Sequence, residues 1–270
     1  MSDGRDLAGQ PSVYFGQMLV AEDSYLRKLP IVLNVRQRLA FDAVVMAADI
    51  ATICYCELRQ IGVSLAQSHD TLKPLQFASF IGRCWTIIDQ VHALGQLLDL
   101  KPEASDRIGM PYQKFRDQLE DVRFIRNKMD HLRGNLKNLS NKSGDRSPLF
   151  GSLSFIYGTN QNPFKCESIN IYAGAIINQI VTSLAMPSGR TFGWPVGLFE
   201  FSAFERTLCF EDIFLNLLKI IQFVGPDLES QITKQVAARA ENEKFNVEEA
   251  LGSGYGAFVV RAFIQDGPDF

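Results

Sequence analysis

The chain has 270 residues, 46% of them hydrophobic, which allows one large domain with a substantial core or one domain carrying an insert. Its 27 basic and 30 acidic residues leave a net charge of −3, so no global basic field gathers nucleic acid, and a polyanion must find a local patch. Five cysteines (Cys54, Cys56, Cys84, Cys166 and Cys209) are an odd number without a secretory pattern, which fits reduced thiols in a cytoplasmic protein.

The opening MSDGRDLAGQ is polar and reads as a loose terminus, disordered over 1–15. From Val35 to Ala66 there is no proline, and apolar residues recur at helical spacing, giving one long helix or two with a break near Gly62. Its central part, Phe41 to Ala66, is the most apolar long stretch. Asp42, Asp49, Glu57 and Arg59 make it a core helix rather than a membrane span, and no membrane association is expected.

Thr71 to Pro74 mark a turn, and a second helix follows, Gln76 to Leu100, in which Phe77, Phe80, Ile81, Trp85, Ile88, Val91 and Leu94 step by threes and fours. Pro111 opens a third, from Tyr112 to about Leu139, with an apolar stripe through Phe115, Leu119, Val122 and Ile125. Residues 138–148 form a loop.

The pattern then changes period. Ser152–Tyr157 and Glu167–Tyr172 are short, rich in β-branched and aromatic residues, and joined by a polar, glycine-containing loop, as a hairpin requires. Val196 to Phe204 supplies a further strand, whereas Ala175 to Ala185 fits either strand or helix. A helix from Phe210 to Val224 ends at Gly225–Pro226, and a more polar one follows from Leu228 to Phe245.

The fold class expected is mainly α: a bundle of long amphipathic helices with a small antiparallel β insert, α+β overall. Its parts are a bundle at 16–140, the β insert at 141–205, C-terminal helices at 206–250 packing on the bundle, and a tail at 251–270.

The third helix holds the chemistry. Asn127 and His131 are four apart and share a face with Arg123 and Asn135, while Arg126 lies about 140° round the helix from His131. Arg126 must therefore reach back, or meet the histidine of a second copy. His92, on the second helix, joins this site if that helix packs on the third.

The ordinary alternative is a solvated helix face, with Arg126 and Asp130 as an i, i+4 pair. Cys54 and Cys56 lie about 200° apart on a helix, a poor geometry for one metal, and read as core residues. The glycines of 252–256 lack a P-loop lysine.

An arginine, a polar residue and then a histidine, late in a bundle helix, is similar to the signature of the HEPN superfamily; Arg126, Asn127 and His131 carry it here. The resemblance covers about Val35 to Leu139. It implies a homodimer with the two motif helices facing each other, and a metal-independent endoribonuclease of toxin or defence type that uses no cofactor. In that role Arg126 stabilises the scissile phosphate, His131 moves protons for attack by the 2′-hydroxyl, and Asn127 supports them. RNA and an antitoxin or regulatory protein are then the expected partners. The alternatives are a catalytically silent module for dimerisation or for ligand or protein binding, and a structural protein whose motif is only packing.

Overall fold

A computed structural model of the chain describes residues 18–28, 30, 32–68, 73–98, 108–134, 150–158, 166–172 and 195–243. The expectations for the N-terminus, for 138–148, for Ala175–Ala185 and for the tail at 251–270 lie outside them. Helix α1 is Tyr25–Lys28, α2 is Val35–Ser68, α3 is Pro74–Leu97 and α4 is Met110–Asp130. Strands β1 (Ser152–Gly158), β2 (Cys166–Tyr172), β3 (Val196–Ala203) and β4 (Arg206–Cys209) follow, and α5 spans Phe210–Glu243. The architecture is mainly helical with a small antiparallel sheet.

Helix α2 starts at a reciprocal cap. The Asn34 side chain accepts from the Gln37 N–H at 2.9 Å, and the Gln37 side chain accepts from the Asn34 N–H at 3.0 Å. Its buried face, Val44, Ala48, Ala51, Tyr55, Leu58, Gly62 and Ala66, advances by threes and fours without interruption, so there is no break at Gly62. A Cβ on Gly62 would come within 3.2 Å of the Phe199 ring, so the missing side chain lets the sheet sit close against α2.

The sheet order is β2-β1-β3-β4, antiparallel throughout. Its inner face meets α2 and α3 through aromatic rings: Phe155 stacks on Phe199 at 5.0 Å, Phe80 meets Phe155 edge-on, and Trp85 meets Phe201 edge-on at 5.4 Å. The predicted strands appear within a residue or so of their expected ends.

Two local features differ from the sequence reading. Arg206–Cys209 belongs to a strand rather than to the C-terminal helices; it pairs with β3 across a turn in which Phe204 and Glu205 both have positive φ. That turn has the backbone of a tight hairpin but neither glycine nor asparagine, which removes the usual signal.

The second difference is that α5 runs unbroken through Gly225–Pro226. Pro226 cannot donate to the carbonyl four residues earlier, but Gln222, Phe223 and Val224 are exposed, so water can serve that stretch. Beyond it, Ile232 and Val236 bury themselves against Leu33, with Phe41 and Leu228 packed alongside, which holds the second half of the helix in place.

Helix α4 is regular to Asp130, a turn falls at His131, and residues 132–134 are helical again. Residues 135–139, over which the expected helix runs on, lie outside the described residues. Its buried stripe ends at Ile125, and Met129 and Leu132 are only half-buried.

Candidate active site on helices α3 and α4

Helix α4 packs against α3 and α5. Its contact with α3 is close at Gly95, where a Cβ would stand 2.6 Å from the Leu119 methyls. This packing aligns Asp89 and His92, three apart on α3, with Arg126 on α4. The Arg126 Nε donates to Asp89 Oδ1 at 3.0 Å, and its Nη1 lies 2.9 Å from His92 Nδ1. A guanidinium has no acceptor, so Nδ1 is the accepting atom and the neutral imidazole carries its proton on Nε2.

His92 is half-buried. Burial, then the charges of Arg126 and Arg123, hold its pKa below the ordinary 6.5, while Asp89 and Asp130 pull the other way. The Arg126 and Asp89 side chains are 39% and 55% exposed, so their ion pair is a surface pair worth about 0–1 kcal/mol. The cluster fixes Arg126 in orientation more than it stabilises the fold.

His131 stands elsewhere. It is the C-cap of α4, with φ −102° and ψ 28°, and its backbone N–H returns to the carbonyls of Asn127 and Met129. Its side chain is exposed and has no hydrogen-bond partner among the described residues. Arg123, Asn127 and His131 do share the solvent face expected of them. Asn135 lies outside the described residues. Arg126 points to α3 instead, so one chain does not gather the guanidinium and the imidazole of the motif.

The third side of α4 is also occupied. Arg206 of β4 pairs with Asp121 at 3.2 Å, and the cations of Arg206 and Lys128 lie 5.1 and 5.4 Å from the Phe124 ring centre. Lys128 is thus held on the opposite flank from the Asp89–His92 cluster.

A second polar centre was not foreseen from the sequence. Glu211, in the first turn of α5, is fully buried, and burial raises its pKa above 4.5. Its Oε1 accepts from the Tyr55 hydroxyl at 2.7 Å and its Oε2 from the Phe199 N–H at 2.8 Å. The register between β1 and β3 shifts by one residue around Leu198–Phe199, and Leu198 takes φ 54°. The bulge leaves the Phe199 N–H without a ladder partner, and Glu211 supplies one. This ties α2, β3 and α5 together and is a structural centre, closed to solvent.

Among the described residues, no group of three or more His, Cys, Asp and Glu side chains is placed to hold a metal ion. Cys54, Cys56 and Cys209 are half-buried, Cys84 is buried, and none of the four is in a disulfide; burial is the chief cause that raises the pKa of Cys54 and Cys84. Helix α2 is long and apolar enough to cross a membrane on length and composition alone, a test that a soluble core helix also passes. No family model, curated protein or solved structure matches the chain.

Proposed function

We propose that this chain is a catalytically silent helical module, HEPN-like in outline, that serves dimerisation or ligand binding. The observation that carries this reading is the placement of the motif. Arg126 is bonded to Asp89 and His92, whereas His131 faces water from the end of α4. Acid–base cleavage of RNA needs a proton-moving group and a phosphate clamp within about 3 Å of the same reacting centre. The His92 imidazole does not replace His131, because its Nδ1 lone pair is already taken by Arg126 and its Nε2 bears a proton. It is a hydrogen-bond donor there, and burial and the Arg126 charge both disfavour its protonation.

The second reading, a metal-independent endoribonuclease of toxin or defence type, draws on one observation. Arg123, Asn127 and His131 are all exposed on one face of α4, open to a second copy or to RNA. A homodimer joining two such faces would set Arg123 beside the His131 of the other chain. Arg126 would have to leave Asp89 and His92 to join them. An antitoxin or regulatory protein is then a natural partner.

The two readings separate in one assay. Purified protein is incubated with structured and unstructured RNA in excess chelator, beside Arg126→Ala and His131→Ala. The silent reading expects no cleavage above a buffer control from any of the three proteins. Cleavage by the parent that both variants lose would establish the second reading.

A further inference from the structure

Arg126 reaches from α4 across to α3 and gives two of its nitrogens different partners. Its Nε donates to Asp89 Oδ1 at 3.0 Å, a contact between opposite charges, while its Nη1 lies 2.9 Å from His92 Nδ1. The second contact depends on the state of the ring. A guanidinium only donates, so it bonds to Nδ1 only while that nitrogen keeps its lone pair. Once a proton sits there, two donors and two positive charges face each other at hydrogen-bond distance.

The charges around the ring offer both cations another partner. Those that act on it most are Arg126 and Arg123, which oppose a proton, and Asp89 and Asp130, which favour one. Helix α2, which also packs on α3, supplies none of these four. Asp89 precedes His92 by three residues on α3, and Asp130 follows Arg126 by four on α4. Both spacings set the two side chains one turn apart on one helix face, which supports an ion pair within the helix.

We propose that the Arg126–His92 contact is a proton-operated latch between α3 and α4. When Nδ1 takes a proton from solvent, the cross-helix pairing exchanges for two pairings within the helices. The imidazolium donates to Asp89, and the guanidinium, which keeps all its protons, turns to Asp130 and to water. The contact of Gly95 with Leu119 lies in the same seam and holds no titratable group, so the helices stay docked while their surface pairing changes. Burial and both arginines hold the imidazole below its ordinary pKa, which puts the exchange on the acid side of 6.5. The latch is independent of whether the chain cleaves RNA.

The test is nuclear magnetic resonance of the full chain, with arginine and histidine side chains isotope-labelled, from about pH 8 to about pH 5, beside His92→Gln. At the alkaline end His92 should show a bare Nδ1 and a protonated Nε2. The Arg126 side-chain N–H groups should exchange more slowly there than those of free arginine at the same pH. As pH falls through the His92 midpoint, that protection should drop about tenfold with the same midpoint, the loss of one hydrogen bond from a charged donor. Glutamine carries an acceptor oxygen that no pH in this range removes, so His92→Gln should keep the protection throughout.

Protection that stays constant while His92 titrates overturns the latch, as does a proton found on Nδ1 at the alkaline end. A loss that persists in folded His92→Gln assigns the trigger to another group and overturns it equally. Should His92→Gln fold poorly by circular dichroism, Arg126→Gln decides. Removing the guanidinium should raise the His92 midpoint, and an unmoved midpoint overturns the proposal.

Discussion

Replacing Glu211 by alanine removes a buried acceptor on which two elements depend. The change leaves the Tyr55 hydroxyl and the Phe199 N–H, both buried, without the oxygens that stand 2.7 and 2.8 Å away. Each stranded donor costs about 1–3 kcal/mol, so the gross loss is about 2–6 kcal/mol. Part of it is offset, because the carboxylate is itself poorly solvated there, as its raised pKa records. A net loss of about 3 kcal/mol is expected, read as a fall in the urea midpoint at constant slope. Glu211→Gln should lose less, since its oxygen can take the Phe199 N–H while its amide donates to the Tyr55 oxygen.

The pH dependence gives a second check. Because the folded pKa lies above 4.5, the folded protein holds this proton more tightly than the unfolded chain does. The stability this provides is present in full below the unfolded pKa and is lost as pH rises through the folded value. Urea unfolding between about pH 4 and 8 should therefore show the parent losing ground to Glu211→Gln as pH rises. A Glu211→Ala protein within about 0.5 kcal/mol of the parent would refute the reasoning, because a buried acceptor of two donors cannot be lost so cheaply.

Arg126→Gln should raise the His92 pKa toward 6.5, followed by the pH dependence of its ring resonances, since the Arg126 charge is the largest cause of the depression after burial. For His92 the sign is opposite to that of Glu211: its depressed pKa stabilises the fold above the unfolded pKa, and that contribution is lost as pH falls through the folded value. An unchanged His92 titration would show that Arg126 does not engage it in solution. Gly151→Ala should destabilise by about 2 kcal/mol or more in urea, because φ is +86° and the new Cβ would lie 2.5 Å from the Phe201 ring and 2.9 Å from the Ser202 carbonyl. Arg27→Ala should cost about 2–4 kcal/mol, as it leaves the mostly buried Asp49 carboxylate unpaired and the Val20 carbonyl without its donor. Arg27→Lys should recover little, since one ammonium cannot serve both Asp49 oxygens.

Periodicity carried most of the fold. The stripes of α2, α3 and α4 each match a buried face, β1, β2 and β3 form where β-branched and aromatic residues gather, and Pro111 opens α4 as its fixed φ favours. What escaped is local geometry that residue type does not announce. The β3–β4 turn puts Phe204 and Glu205 at positive φ, and the bulge does the same to Leu198, all without glycine. Pro226 reads as a stop, yet the packing of Ile232 and Val236 outweighs its lost hydrogen bond.

The candidate site divides in the same way. Helical spacing correctly put Arg123, Asn127 and His131 on one exposed face and turned Arg126 away from them. Which side chains await Arg126 depends on the register of α3 against α4, set by the contact of Gly95 with Leu119, and no local pattern encodes that register. His92 was visible as a conditional member of the site, whereas Asp89 gave no signal of its own. Glu211 reads as an ordinary acidic residue in a helix's first turn, where it favours the dipole; its burial beside Tyr55 is a tertiary fact.

The most direct measurement of the central claim is the chemistry of RNA ends. Labelled RNA is incubated with the protein and chelator at concentrations well above and below dimer dissociation, and the products are examined for 2′,3′-cyclic phosphates. The account predicts no such ends beyond background, with Arg126→Ala and His131→Ala indistinguishable from the parent. Cyclic phosphates that accumulate with the parent and vanish in both variants would contradict it.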